Sequence, residues 1–328
     1  MDMLGPDPAW KEVARSIRRS VRRTRNRIRR TSVILLYHRV AEGFPDPWSL
    51  CVSPVHFQEH MAVLASRGVR TLEGLVDDIE HDRRSRAPVV TFDDGYADFA
   101  ETALPVLRGH RIPATLFVAT GTLRTPGEFW WDELERIVLA APALPETLYV
   151  ELGSEPFSWA QTTDGDRRTL YHALHQRVGR LPGPTRAQAL AALRHWAGID
   201  EACRPTHRPI SEAQVAAVAR VDDVRIGAHT VHHSYLGALP ADDQVREIHE
   251  SKRQLEAVTG RPVEAFSYPH GDHEPETVTR VRAAGFRVAC GSAGGPLAAD
   301  ADRFDLPRVE VPNFSGAAFA RWLDEWVG

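Results

Sequence analysis

Two short stretches of the chain hold the residue types that hydrolytic chemistry needs. The first is Thr91-Phe92-Asp93-Asp94-Gly95-Tyr96, directly after the apolar run Ala87-Pro88-Val89-Val90. That run reads as a buried strand, so both carboxylates fall at its carboxyl end. Adjacent acids raise each other's pKa unless a cation or hydrogen-bond donors hold them. A pair placed here suits a metal, with one carboxylate binding it and the other left free for proton transfer. The plainer alternative is a solvated Asp-Gly turn whose acids accept backbone hydrogen bonds. The second stretch is His229-Thr230-Val231-His232-His233-Ser234. Histidines four apart at the start of a helix or turn project to one side and suit zinc or a similar divalent ion, although an isolated pair is as often structural. With the strand-end acid they give Asp94, His229 and His233, one oxygen and two nitrogens with room for water. His232 competes as a ligand but points elsewhere on a helical turn.

These residues need a scaffold that gathers strand ends. From Ser32 the chain alternates apolar strand-like runs with amphipathic segments: Ser32–Val40, a helix over Ser53–Arg67 capped by Ser53 and closed by Gly68, Val89–Phe92, a helix over Phe99–Arg108, then Ala114–Ala119. The alternation breaks over residues 122–210, where Phe129–Ala141 reads as a helix, Thr147–Trp159 as a hairpin, and Arg167–Ala197 as two helices split by Leu181-Pro182-Gly183-Pro184. It resumes with strands at Val224–Ala228, Val263–Ser267, Phe286–Gly291 and Leu306–Val311. Near-continuous apolar strands between helices predict a parallel sheet, here an α/β fold of distorted (β/α)7-barrel type. The expected organisation is a basic amphipathic helix over 1–31 and a barrel over 32–328 with a mainly helical insertion at about 122–210. Trp130, Trp131 and Trp159 in the insertion read as buried packing rather than a sugar platform.

Composition narrows the class further. Residues 1–30 hold ten Lys/Arg against three Asp/Glu, a balance of +7 in a chain whose net charge is −4. The stripe Trp10, Val13, Ala14, Ile17, Val21 and Ile28 lacks Leu and Phe, which favours docking on the domain over peripheral contact with an anionic membrane surface. Nucleic acid is not an expected partner, because no recognition module or aromatic interleaving accompanies the arginines. Cys51, Cys203 and Cys290 are too few and too scattered for a disulfide framework or a zinc knuckle. No apolar run reaches membrane-span length and the N-terminus has no secretory h-region, so a cytoplasmic location is expected.

In a barrel the site forms at the carboxyl ends of strands. Four clusters fall there: His38, Asp93 with Asp94, His229 with His233, and Tyr268-Pro269-His270-Gly271. Together they resemble the polysaccharide deacetylase family, the NodB-homology carbohydrate esterases. Thr91–Gly95 matches that family's TFDDG motif, and His229–His233 matches its His-Ser/Thr-x-x-His motif. The resemblance covers about residues 32–121 and 211–312. It implies Asp93 as catalytic base, Asp94, His229 and His233 as ligands to a divalent metal (Zn2+ first, with Ni2+, Co2+ or Mn2+ as alternatives), and an N-acetylated sugar or glycan as substrate.

The third motif departs from the usual Arg-x-Pro-Tyr. Phe266-Ser267-Tyr268-Pro269-His270-Gly271 lacks the base-orienting arginine and resembles a Phe-x-Tyr-Pro-x-Gly branch near poly-N-acetylglucosamine deacetylases. Tyr268, Pro269 and Gly271 are therefore expected around the substrate and oxyanion, with a backbone N–H near Tyr268–His270 completing the oxyanion hole. Arg308 stands where a Leu-x-His motif would supply the general acid; it is placed on the same substrate side, where it either holds a carboxylate or faces solvent. His38 is the first candidate for proton donor, with His270 and recycled Asp93 behind it. The implied reaction is deacetylation of an amino sugar by water. Its rivals are O-acetyl ester or other amide hydrolysis on this scaffold, and a silent barrel that binds glycans or anionic surfaces.

Overall fold

The computed structural model describes residues 32–327 apart from 84, 125–126, 161–165 and 299–300. The basic stretch 9–30 therefore lies outside the described residues. In chain order the elements are β1 (Ile34–Tyr37), the short strands β2 (Arg39–Val40) and β3 (Cys51–Val52), α1 (Pro54–Arg67), α2 (Leu72–Glu80) and β4 (Val89–Phe92). A π-helical turn, Phe99–Ala103, leads into α3 (Leu104–His110), followed by β5 (Ala114–Val118), α4 (Trp130–Val138), and the hairpin β6 (Thr147–Leu152) and β7 (Glu155–Ala160). Then come α5 (Asp166–Val178), α6 (Gly183–Ala197), α7 (Glu212–Val218), β8 (Val224–Ala228), α8 (Ala241–Thr259) and β9 (Ala265–Ser267). The chain finishes with α9 (Pro275–Ala283), β10 (Val288–Cys290), β11 (Val309–Glu310) and α10 (Gly316–Val327).

Seven of the strands make one parallel sheet in the order β10-β9-β8-β5-β4-β1-β11. Its ends meet, since Leu306, just ahead of β11, bridges in parallel to Cys290 of β10. The expected α/β barrel is thus present. Every residue of β1, β4 and β5 is buried, as a sheet covered by helices requires. Local signals agree: the Ser53 hydroxyl accepts from the His56 N–H, Pro54 opens α1, and Gly68 ends it at φ 74°. The sequence reading passed over α2, although Leu72, Leu75, Val76 and Ile79 have helical spacing and Thr71 caps it.

Between β5 and β8 the chain builds a second apolar cluster, which includes Phe129, Trp131, Leu134, Leu148, Leu174 and Leu193. It is separate from the cluster around β1, β4 and α1. Trp130 and Trp131 are buried in it, as expected from packing. The three cysteines are free. Among the described residues no helix is long and apolar enough to cross a membrane.

Candidate active site

Asp93 continues the pairing of β4, its N–H donating to the Tyr37 carbonyl at 3.0 Å. Asp94 and Gly95 then take positive φ, 70° and 83°, and the chain turns away from the sheet. A side chain at Gly95 would be strained by that φ and would press on Val118 and Ile210 at 3.1 and 3.2 Å. The acid pair is therefore on a tight turn, and both carboxyl groups are buried, which excludes the solvated Asp-Gly turn.

The histidine stretch is not helical. Thr230 and His233 sit at φ 63° and 51°, so His229 and His233 converge through an irregular loop rather than through helical pitch. Three backbone bonds lash that loop to the end of β5: His229 N–H to Val118 O at 3.1 Å, Thr120 N–H to Thr230 O at 3.1 Å, and Gly121 N–H to Val231 O at 2.8 Å. Glu247 of α8 accepts from the N–H groups of Val231 and His232 at 2.9 and 2.8 Å, and its Oε1 lies 2.6 Å from His232 Nδ1. His232 is thereby turned away from the acid pair, as expected. Burial pushes the Glu247 carboxyl up, but these His232 and backbone contacts prevail and hold it below the ordinary range. Arg186 of α6 donates to the His232 carbonyl at 2.7 Å and the Ser234 hydroxyl at 3.2 Å.

The expected donor set comes together. Asp94 Oδ1 lies 3.1 Å from His233 Nε2 and 3.5 Å from His229 Nε2. One donor atom from each of the three residues lies within 4.8 Å of the other two. His229 Nδ1 is 2.8 Å from the Ser267 carbonyl. A carbonyl can only accept, so Nδ1 holds the proton and Nε2 is the nitrogen that faces Asp94. Burial would raise the Asp94 pKa, but the neighbouring imidazoles His233 and His229 carry it well below the carboxylate norm. Burial lowers that of His233 despite Asp94, which keeps the imidazole neutral, the form that binds metal. Buried nitrogen and oxygen donors with this tautomer fit a small divalent cation.

Asp93 has a different partner. Arg308 grips it with two parallel bonds, Nη1 to Oδ1 at 2.7 Å and Nη2 to Oδ2 at 2.6 Å. Ser267 Oγ donates to Oδ2 at 3.0 Å, and Arg308 Nε donates to the Gly291 carbonyl at 2.8 Å. Arg308 is 1 % exposed. Burial pushes Asp93 up, but the Arg308 guanidinium beside it prevails and keeps the carboxyl ionised below its usual pKa. Arg308 thus lines the cavity and holds a carboxylate rather than facing solvent: its guanidinium is taken up by Asp93, Ser267 and Gly291. An arginine absent from the third motif in sequence is thus present in space, one residue ahead of β11.

The oxyanion assignments of Tyr268, Pro269 and Gly271 need correction. The Tyr268 N–H donates to the Cys290 carbonyl at 3.0 Å and the Gly271 N–H to the Tyr268 carbonyl at 2.9 Å, while proline has no N–H. The Tyr268 hydroxyl donates to the Phe304 carbonyl at 2.9 Å. Within this segment the His270 N–H is the candidate left. Its ring stacks on Tyr235 at 3.7 Å, with φ 59° at His270, and lies 4.5 Å from the His233 ring. His38 sits across the site, Nδ1 3.9 Å from Glu310 Oε1.

Asp93, Asp94, His229, His233, His270, Arg308 and His38 line one cavity of about 350 Å3, together with Trp48, Trp131 and His175. Sequence reasoning missed Trp48, His175, Ser267 and Glu247. Only Ser267 carried a signal, a polar side chain ending an apolar strand next to the third motif.

A family model for polysaccharide deacetylase matches residues 80–141 and 195–289, which contain both acids and all three histidines of the turn and loop. The chain belongs to the polysaccharide deacetylase family. A deacetylase is a hydrolase, and that is this protein's class. Over 296 residues the chain is 22% identical to YxkH of Bacillus subtilis, a protein named for the same family, covering 89% of this chain and 75% of that one. The deacetylase PplD of Streptococcus pyogenes, solved in complex with acetate, is 18% identical and superposes with TM-score 0.58 over 88% of this chain and 95% of its own. IcaB of Ammonifex degensii is likewise 18% identical, with TM-score 0.56 over 90% and 97% of the two chains. These structural likenesses speak to the fold.

Proposed function

We propose that the protein is a metal-dependent deacetylase that releases acetate from an N-acetylated amino sugar. The observation that carries this reading is the convergence of Asp94, His229 and His233 beside an arginine-held Asp93 in one cavity. A divalent cation on those three residues, Zn2+ by donor type, would polarise an acyl oxygen and lower the pKa of water. Asp93 acts as general base: it takes a proton from the water that attacks the acetyl carbon. Arg308 keeps that carboxylate ionised and aims it. The His270 N–H receives the negative charge developing on the carbonyl oxygen. His38, oriented by Glu310, gives a proton to the leaving nitrogen as the C–N bond breaks, so water and amide become acetate and amine.

The Phe266–Gly271 segment supports placement near the poly-N-acetylglucosamine branch. The expected cytoplasmic setting, with membrane-peripheral contact through residues 9–30, belongs to this proposal too, and cell fractionation checks it. The decisive experiment measures acetate across N-acetyl sugars, nucleotide sugars, glycan oligomers and O-acetyl esters, with metal analysis and an Asp93→Asn control. Acetate from amides, lost in the control, supports the reading. Release from esters alone transfers it to O-deacetylation, and a metal-free protein that releases nothing defeats it.

A further inference from the structure

One wall of the cavity does not come from the barrel's catalytic turns. The loop between β2 and β3, residues 41–50, crosses to the segment between β5 and β8 and is fastened there at two points. Trp48 Nε1 donates to the Tyr171 hydroxyl of α5 at 2.7 Å, and its ring packs on His175 at 4.5 Å. Phe44 packs on His207 at 4.5 Å, under the Arg39 guanidinium. The loop is braced from within, because Asp46 accepts from the N–H groups of Leu50 and Cys51 at 2.9 and 2.8 Å. The strap thus bridges to α5 along that side of the cavity. Trp48 itself is 38 % exposed while lining the cavity, so a fixed indole face is left open beside the acid pair. Such a face suits the apolar side of a sugar ring. A volume of about 350 Å3 is near the lower end of small-molecule pockets, which run from roughly 300 to 1,000 Å3.

We infer that the strap makes this a chain-end reader: the reacting sugar is a free monosaccharide or the terminal residue of its chain, stacked on Trp48. A sugar lying over Asp93 has room for a neighbour on the open side only, so interior residues of a polymer cannot reach the base. His175, whose imidazole burial holds neutral at a pKa of about 3, presents an uncharged hydrogen-bonding edge to a sugar hydroxyl. This deepens the deacetylase reading and rests on it.

The test uses the full chain loaded with Zn2+ and N-acetylglucosamine oligomers from monomer to hexamer. Released acetate is quantified, and the position of each free amine is mapped by fragmentation mass spectrometry. The expected result is loss of one acetyl from one end, with kcat/KM flat beyond the shortest oligomers. Trp48→Ala should raise KM for the monomer and dimer about tenfold, as loss of an aromatic contact does, and allow free amines at interior positions. Tyr171→Phe keeps the ring but frees the strap; it should relax end selectivity with a smaller change in KM. Unchanged zinc content and melting temperature in both variants show that they fold. Interior deacetylation by the unaltered protein, or end-only products from Trp48→Ala, overturns the inference while leaving the deacetylase reading intact. Acetate from no oligomer and no monosaccharide removes that reading, and the chain-end inference falls with it.

Discussion

The floor of the cavity and its wall are held by different physics. On the floor, Asp93, Asp94, His229 and Arg308 are buried and joined by short polar bonds of 2.6 to 3.5 Å. On the wall, Trp48, His175 and Tyr171 meet mainly through ring contacts, with one hydrogen bond among them. Buried charges are costly unless every partner is present, so the floor tolerates almost no change. Ring contacts are broad in geometry and individually worth little, so the wall tolerates substitution without loss of the fold. On the proposed reading, reaction chemistry falls on the part that resists change and substrate choice on the part that tolerates it.

Variants can break that contrast at graded depth. The largest effect is expected from His233→Ala, which removes a donor: bound metal measured by atomic absorption should vanish and acetate release should fall to background. Asp93→Asn should lower kcat by about 10²–10⁴-fold with metal content unchanged, separating the base from the donor set. Arg308→Met leaves Asp93 buried without its cation. Stability should drop by about 3–5 kcal/mol, and the acid limb of the pH–rate profile should move upward as the Asp93 pKa rises. Denaturant melts and kcat/KM against pH read the two effects. Glu247→Ala frees the loop that carries both histidines, and metal affinity should weaken about 10–100-fold by competition with a chelator dye.

The smallest effect sharpens the comparison by pH. Burial lowers His60 to a pKa of about 4, and His175 and His207 to about 3. A histidine with a folded pKa below its unfolded value of about 6.5 binds more protons when unfolded. Its contribution is therefore complete above pH 6.5 and is lost as pH falls toward 4 and 3. Melting temperature should decline by some degrees over that window. His175→Gln and His207→Gln should flatten the decline. A melt curve indifferent to acid would contradict the neutral state of these rings.

Much of the floor was legible because its residues are local in sequence. Asp93 and Asp94 adjoin an apolar strand, and His229 and His233 are four apart; each pair declares itself. The barrel was readable for a related reason, since strands such as Ile34–Tyr37 and Val89–Phe92 are wholly buried and therefore mostly apolar. Arg308 was legible as a residue that could hold a carboxylate, but not as the partner of Asp93. Its partner lies 215 positions away, and nothing in Leu306-Pro307-Arg308 states which carboxylate it meets. Which backbone N–H near Tyr268–His270 stays free was not legible, because the ladder partner of Tyr268, the Cys290 carbonyl, depends on strand order. Trp48 was invisible since a lone tryptophan in a polar loop carries no period. Tertiary contact, not pattern, gives such residues their work.

The guanidinium that holds Asp93 enters one residue ahead of β11, beside the segment that rejoins the sheet through Leu306 and Cys290. On the proposed reading, a nascent polypeptide emerging from the ribosome would possess every metal donor while its water-activating carboxylate still lacked a counter-charge. Hydrolytic competence would in this way be tied to completion of the ring, and a product clipped ahead of residue 308 should turn over poorly.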